Sequence, residues 1–243
     1  MKLLRRLMVG ALTSPLLLIG LAPGPVEAAG ARTGVAGART GVAGVAGVAG
    51  QDCPTAHRSP STTTAPPTGL ETYYREDWRL GPSHLPRTGP VARMLRGWKP
   101  QDSTSPYWFL GCYWQTDQQN KSGWWYPDND GFVLRDGRPV HETRTLAAGQ
   151  MVDLFGSGRG NFLAPQGTPY IRRAIPPTNL DEYNASDPAY NYHLYKVVKP
   201  FTVEAGPIRP WFGQPGLGTQ YVTNTSIPNL VNAGNLKEVT PAT

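Results

Sequence analysis

Most of the chain reads as short apolar and polar alternations separated by turn residues, with little spacing of the helical kind. Met151–Phe155, His193–Val198, Phe201–Glu204, Thr219–Thr223 and Leu236–Thr240 are predicted strands bounded by Gly, Pro, Asn or Asp. Phe132–Leu134 and Pro139–Glu142 flank Asp136-Gly137, a dipeptide that favours a tight hairpin because both positions tolerate positive φ. Strands this close together, with no helices between them, imply antiparallel pairing. Two short helices are predicted. One is Val91–Trp98; the other is Ser226–Gly234, capped by Ser226, with Pro228 in its first turn and Gly234 at its end. The expected class is α+β: a mostly antiparallel, β-rich single domain with a few short helices.

The first residues follow a different pattern. Lys2, Arg5 and Arg6 precede an apolar run from Leu7 to Leu21, and Val26-Glu27-Ala28 offers a cleavage site, so residues 1–28 read as a signal peptide. The alternative is a membrane anchor, but Pro15, Gly20 and Pro23 interrupt a run already short of the roughly 20 residues a span needs. Residues 31–50 repeat Ala-Arg-Thr-Gly-Val-Ala-Gly and then Val-Ala-Gly, and 59–68 are rich in Ser, Thr and Pro. Neither stretch supplies an apolar face to bury, so 29–69 is a spacer and 70–243 the folded domain.

Charge narrows the partners. Setting aside Lys2, Arg5, Arg6 and Glu27 lowers the formal +6 to +4, and leaving out Arg32 and Arg39 brings it to +2 over residues 51–243. No basic run interleaved with aromatics remains, which excludes a phosphate-tracking surface and nucleic acid as a partner. Export also bears on Cys53 and Cys112, the two cysteines of the chain. They cannot form a zinc site without histidines at ligand spacing, and His57, His84, His141 and His193 offer none. A disulfide is favoured over two free thiols in an oxidising compartment, and closing a loop of about 60 residues would contribute roughly 4 kcal/mol, less any strain. The expected location is extracellular or at the cell surface, with no membrane contact after cleavage.

Several motifs exclude themselves. Asp128-Asn129-Asp130-Gly131 lacks the first ligand and the closing Glu of a calcium loop, so it is a turn. Gly156–Gly160 is neither a nucleophile elbow nor a dinucleotide fingerprint, and Gly213–Gly218 is not a P-loop. Asn120, Asn184 and Asn224 head glycosylation sequons. What stands out is the clustering of Gly with aromatic and polar residues in 124–132, 153–165, 168–177 and 207–221. Glycine lets backbone approach a ligand closely, and aromatic faces accept rings. A nucleotide or a carbohydrate fits that chemistry, and Trp108, Trp114, Trp124 and Trp125 are the stacking residues a carbohydrate would use.

Those same segments resemble the tuberculosis necrotizing toxin and fungal surface NADase family. The likeness lies in Tyr-Pro-Asp-Asn-Asp-Gly-Phe (126–132), Val152–Pro165, Arg-Ala-Ile-Pro-Pro (173–177), 192–221 with its Pro-Trp-Phe-Gly-Gln-Pro-Gly stretch, and the C-terminal Ser226–Val239. The resemblance implies a toxin-like NAD(P)+ glycohydrolase that cleaves the nicotinamide–ribose bond, with NAD+ or NADP+ as substrate and with no cofactor or metal. It implies that Gln220 lies at the reacting ring, that Arg173 grips the pyrophosphate (with Arg172 the bland neighbour), and that Phe155 and Phe162 stand beside the nicotinamide ribose. It matches His193 to a Tyr-His-x-Tyr motif, where a structural hydrogen bond is as good a reading as participation. It sets Trp211 and Phe212 against or beneath the pocket. One position departs: an arginine of the family's Asp-Arg-Phe-Gly is Leu154 here, and losing a charge-assisted contact costs a few kcal/mol, roughly a hundredfold in rate. Arg159 on the adjacent turn is the expected substitute. The other outcomes are a slow enzyme, a cyclase-biased one, or an inactive secreted nucleotide-binding or adhesion module. A homodimer is compatible with the sequence. A neutralising immunity protein accompanies such toxins unless export of a disulfide-bonded enzyme makes it unnecessary.

Overall fold

The computed structural model describes Cys53 and residues 72–101, 104–116 and 121–241. The expected signal peptide (1–28), nearly all of the expected spacer (29–69) and Asn120 of its sequon lie outside the described residues. Helices are α1 (Gly89–Met94), α2 (Pro106–Tyr113) and α3 (Ile227–Asn232). Strands are β1 (Trp114–Thr116), β2 (Ser122–Trp124), β3 (Leu134–Arg135), β4 (Arg138–Pro139), β5 (Glu142–Leu146), β6 (Met151–Phe155), β7 (Phe162–Pro165), β8 (Tyr192–Val197), β9 (Phe201–Pro207), β10 (Thr219–Thr223) and β11 (Leu236–Glu238). Every pairing is antiparallel. The central seven-stranded sheet runs β11-β8-β6-β7-β10-β9-β5. The α+β class therefore stands.

Local chemistry explains the elements. Ser226 accepts from the Asn229 amide at 3.4 Å, and Gly234 at φ +72° stops α3. The β3–β4 hairpin turns on Asp136 and Gly137 at φ +53° and +75°, the sign a two-residue hairpin of this twist requires. Helix α1 begins two residues before the predicted Val91, because Pro90 suits a first turn, and ends at Met94, three residues before Gly97 at φ +77°. Helix α2 was not predicted, although Ser105 accepts from the Trp108 amide at 3.2 Å and Pro106 follows it.

Side-chain parity along the sheet decides what packs where, because residues i and i+2, and residues paired across strands, share a face. On one face Val152, Leu154, Leu163, Tyr195, Val197 and Tyr221 form a core with Ile227 and Leu230 of α3. On the other, Phe155, Tyr192 and Leu194 meet Met94, Leu95, Trp98, Tyr170 and Leu180. A third cluster gathers Trp108, Phe109 and Tyr113 of α2 with Phe212, and the Cys53–Cys112 disulfide lies in it.

Candidate active site

The face of the sheet opposite α3 carries a cavity of about 430 Å³, well within the range of small-molecule sites. Parity builds its floor. Asp153 pairs with Ala164, and Phe162 with Val222, so Asp153, Phe155, Phe162, Ala164 and Gln220 all present to this side. Its walls are the turn Tyr126–Gly131, the segment Arg173–Ile175, and Asn179, whose Nδ2 donates to the Phe155 carbonyl at 2.9 Å.

Gln220 and Arg173 arrive together because two stretches are stitched to one another. The Gly218 amide donates to the Arg172 carbonyl at 3.0 Å, and the Gly216 amide to that of Ile171 at 3.2 Å. A Cβ at 218 would come within 2.6 Å of the Arg172 oxygen, so only glycine permits the approach. Gln220 is 7% exposed, and its Nε2 donates to the Asp130 carbonyl at 2.7 Å. Asp130 belongs to the turn set aside above as a failed calcium loop. The amide is thereby oriented, and its Oε1 has no partner among the described residues.

Arg173 is more engaged than a free phosphate clamp. Its Nη2 meets Asp153 Oδ1 at 2.6 Å, its Nε donates to the Thr168 carbonyl at 2.9 Å, and the guanidinium lies over Phe155 at 5.1 Å. Asp153 is fully buried, and its Oδ2 also accepts from the Gly167 amide at 2.8 Å and the Tyr192 hydroxyl at 2.9 Å. Burial, and then the charge of Asp153, push the Tyr192 hydroxyl well above the ordinary tyrosine range, so it stays a donor. A buried pair completed this way is costly to break from one side, by about 3–5 kcal/mol. The edge of the guanidinium fork is spent on Asp153 and Thr168, which corrects the expectation of a bidentate grip. What remains for a ligand is Nη1.

The other candidates divide. Phe155, 4% exposed, is wedged between Tyr170 and Tyr192, with centroids at 5.1 and 4.9 Å, and forms a rigid wall. Phe162, 43% exposed, stands at the mouth. Tyr126 also borders the cavity. Its accessible surface is high, yet burial pushes its hydroxyl up to about 12; both hold for a ring overhanging an open but crowded hollow.

His193 is not brought to the cavity. It pairs with Leu154 across β8 and β6, on the α3 face, where Nδ1 contacts Glu238 Oε1 at 2.7 Å and the ring stacks on Tyr195. The structural hydrogen-bonding reading is the one its position supports. Leu154 borders the cavity, but its side chain belongs to the α3-side core. Arg159 is exposed in the loop after β6 and does not line the cavity, so the expected substitution for a lost arginine has no geometric basis. Trp211 and Phe212 likewise stand behind the wall. Trp211 Nε1 donates to the Trp125 carbonyl at 2.7 Å, and Phe212 packs on Tyr113, Trp124 and Tyr126 at 5.1–5.6 Å. Of the four tryptophans a carbohydrate would use, Trp108, Trp114 and Trp124 are half-buried in the same cluster, with Trp114 and Trp124 edge to face at 5.1 Å, and Trp125 alone is exposed. Asp153, Asn179 and Tyr126 were not singled out from the sequence. Asp153 had a signal: it is the one acid in a strand otherwise apolar, and such an acid needs a cation.

Comparison with known proteins identifies the family. The family model described as Tuberculosis necrotizing toxin matches residues 145–239, which include β6, β7, β10 and Arg173. The conidial surface nicotinamide adenine dinucleotide glycohydrolase of Aspergillus fumigatus is 43% identical over 170 residues, covering 70% of this chain and 72% of that protein. A solved structure of tuberculosis necrotizing toxin complexed with its immunity factor overlaps 74% of this chain and 99% of that one, at 17% identity and a TM-score of 0.47. With that identity to the fungal enzyme over most of both chains, this protein belongs to the tuberculosis necrotizing toxin family of NAD glycohydrolases.

Proposed function

We propose that the protein is an exported NAD(P)+ glycohydrolase, taking NAD+ or NADP+ and water to ADP-ribose or its phosphate, nicotinamide and a proton. The observation that carries this reading is the convergence of Gln220 and Arg173 on one cavity in a chain so similar to a named NAD glycohydrolase. In the reaction the C1′–N bond breaks with its electron pair going to nicotinamide, and positive charge develops on the ribose. Water then adds to C1′ and releases its proton to solvent. Asp153 is no nucleophile for covalent attack, because both its oxygens are committed to donors; the other carboxylate bordering the cavity, Asp130, lies on an exposed turn. We assign catalysis to positioning. Phe155 and Phe162 offer flat faces to the ring and the ribose, and Gln220 Oε1 accepts from the attacking water or a ribose hydroxyl. Arg173 Nη1 donates to the phosphates. Water is the only co-reactant this balance requires.

The test is nicotinamide release from NAD+ by purified protein. Substituting Gln220→Ala is expected to lower kcat about 10²–10³-fold, as loss of one oriented polar group in an active site does. A wild-type protein that releases no nicotinamide, or an alanine variant as fast as wild type, defeats the proposal. The fungal relative is named for the conidial surface, and the apolar run from Leu7 to Leu21 supports export here too. The toxin of the solved structure is complexed with an immunity factor; detection of a co-purifying inhibitor from the source cells would show whether this chain has one.

A further inference from the structure

We propose that Asp153 is a positioning residue for this reaction: it holds Arg173 so that the guanidinium presents Nη1 to the phosphates of the substrate. The inference rests on the NAD glycohydrolase reading of the same cavity. An arginine side chain is long and rotamer-rich, and a single anchor would leave its plane free to turn. Here three contacts define the plane. Asp153 Oδ1 takes Nη2 at 2.6 Å, the Thr168 carbonyl takes Nε at 2.9 Å, and the Phe155 ring lies 5.1 Å below. A further contact, Nη2 to Met94 Sδ at 3.7 Å, closes the Nη2 side. Nη1 has no hydrogen-bond partner among the described residues, and Arg173 borders the cavity.

Asp153 is in turn immobilised. Its second oxygen accepts from the Gly167 amide at 2.8 Å and from Tyr192 at 2.9 Å, and its surface is wholly buried. The carboxylate sits on β6, two residues before Phe155, so one strand sets both the arginine and the ring it covers. Because the arginine's charge is balanced by Asp153, the cavity does not hold a bare cation that would capture any anion. Affinity then depends on a phosphate meeting Nη1 at the right angle, while the rest of the substrate fills the cavity.

The experiment compares wild type, Asp153→Asn, Arg173→Met and the double variant in nicotinamide release, ADP-ribose binding and thermal melting. Phosphates are held alike in ground and transition states, so Asp153→Asn is expected to raise KM and the ADP-ribose Kd about tenfold, with kcat within about threefold. In the Arg173→Met background the same change is expected to leave KM alone and to raise the melting temperature, since it neutralises a carboxylate stripped of its cation. A purely structural tether would lower the melting temperature just as much but leave KM unmoved. Because Asp153→Asn can fail to fold, wild-type protein labelled with 15N-arginine gives a second readout: ADP-ribose should shift Nη1 of Arg173 and leave Nη2 in place. The proposal is overturned by a folded Asp153→Asn with wild-type KM, by an equal KM penalty in both backgrounds, or by a ligand shift at Nη2 in place of Nη1. A wild type that neither releases nicotinamide nor binds ADP-ribose overturns the functional reading, and this proposal with it.

Discussion

Gly206 lies on β9 directly across from Gln220 on β10. A Cβ built there would stand 2.2 Å from the Val140 carbonyl oxygen, 2.9 Å from Phe132 Cδ1 and 3.0 Å from His141 Cα. Two of those three neighbours are backbone, and the third belongs to a ring already stacked on His141 at 4.8 Å. None can move aside by a rotamer change, so Gly206→Ala must displace either the 140–141 segment or β9 itself by about 1 Å to restore ordinary contact. Overpacking of this kind costs about 1–3 kcal/mol, and a rigid backbone clash belongs at the upper end. For a domain of this size each kcal/mol lowers the melting temperature by about 2–4 °C, so the drop should be about 6–12 °C.

The displacement should also reach the cavity, because β9 carries the register partner of Gln220, and Phe132 follows the turn whose Asp130 carbonyl holds its amide. Circular-dichroism melts, with nicotinamide release measured well below the transition, separate the two effects. Gly123→Ala is the control, since nothing lies within 4 Å of a Cβ there, and its change should stay within about 0.5 kcal/mol. A Gly206→Ala protein melting within about 2 °C of wild type would refute the packing argument.

Other outcomes follow from single features. Cys112→Ala, or reduction of the Cys53–Cys112 bridge, should destabilise by up to about 4 kcal/mol, because the bridge spans a sequence separation of 59 residues; equal melting of oxidised and reduced protein would contradict this. Phe155→Ala should cost about 3–5 kcal/mol in denaturant unfolding, whereas Phe162→Ala, at the exposed mouth, should leave stability nearly unchanged and raise KM. The Thr143 hydroxyl, and then His141, hold the Glu204 carboxyl below its ordinary 4.5. Its contribution is therefore complete above that value and lost as pH falls through the lower folded value. The melting difference between wild type and Glu204→Gln should accordingly be constant at neutral pH and close in acid.

Much of this architecture was written locally. Thr219–Thr223 and Met151–Phe155 have the strand bounds expected of them, and the Asp136-Gly137 turn and the Ser226 cap act as their residue types dictate. Helix α2 was missed for a physical reason: Phe109 through Tyr113 are all buried, so the helix has no polar face to give a period, and only Ser105-Pro106 betrayed its start. Strands β5 and β7 were missed for the opposite reason. Glu142–Leu146 is an edge strand exposed at four of five positions, and Phe162–Pro165 ends in a proline. Gln220 and Arg173 could be named from motif likeness, but their convergence depends on Gly218 touching Arg172 across 46 positions of sequence, which no local pattern encodes.

Parity also resolves the one departure that seemed to threaten the chemistry. Leu154 pairs with His193, and both side chains lie on the face that packs against α3, while Asp153 and Phe155 on either side turn to the cavity. An arginine at 154 would have to enter a core containing Val152, Leu163 and Ile227, where an unpaired charge is strongly unfavourable, or rebuild the strand. Leucine is thus the residue this core calls for, and the cavity keeps its cation in Arg173. The likeness to Asp-Arg-Phe-Gly weighs the four positions equally, whereas the pleat divides them into two that face the cavity floor, one that does not, and a glycine, Gly156, with no side chain to place. A sequence difference on the buried side of a strand speaks first to packing, and only through packing to the reaction.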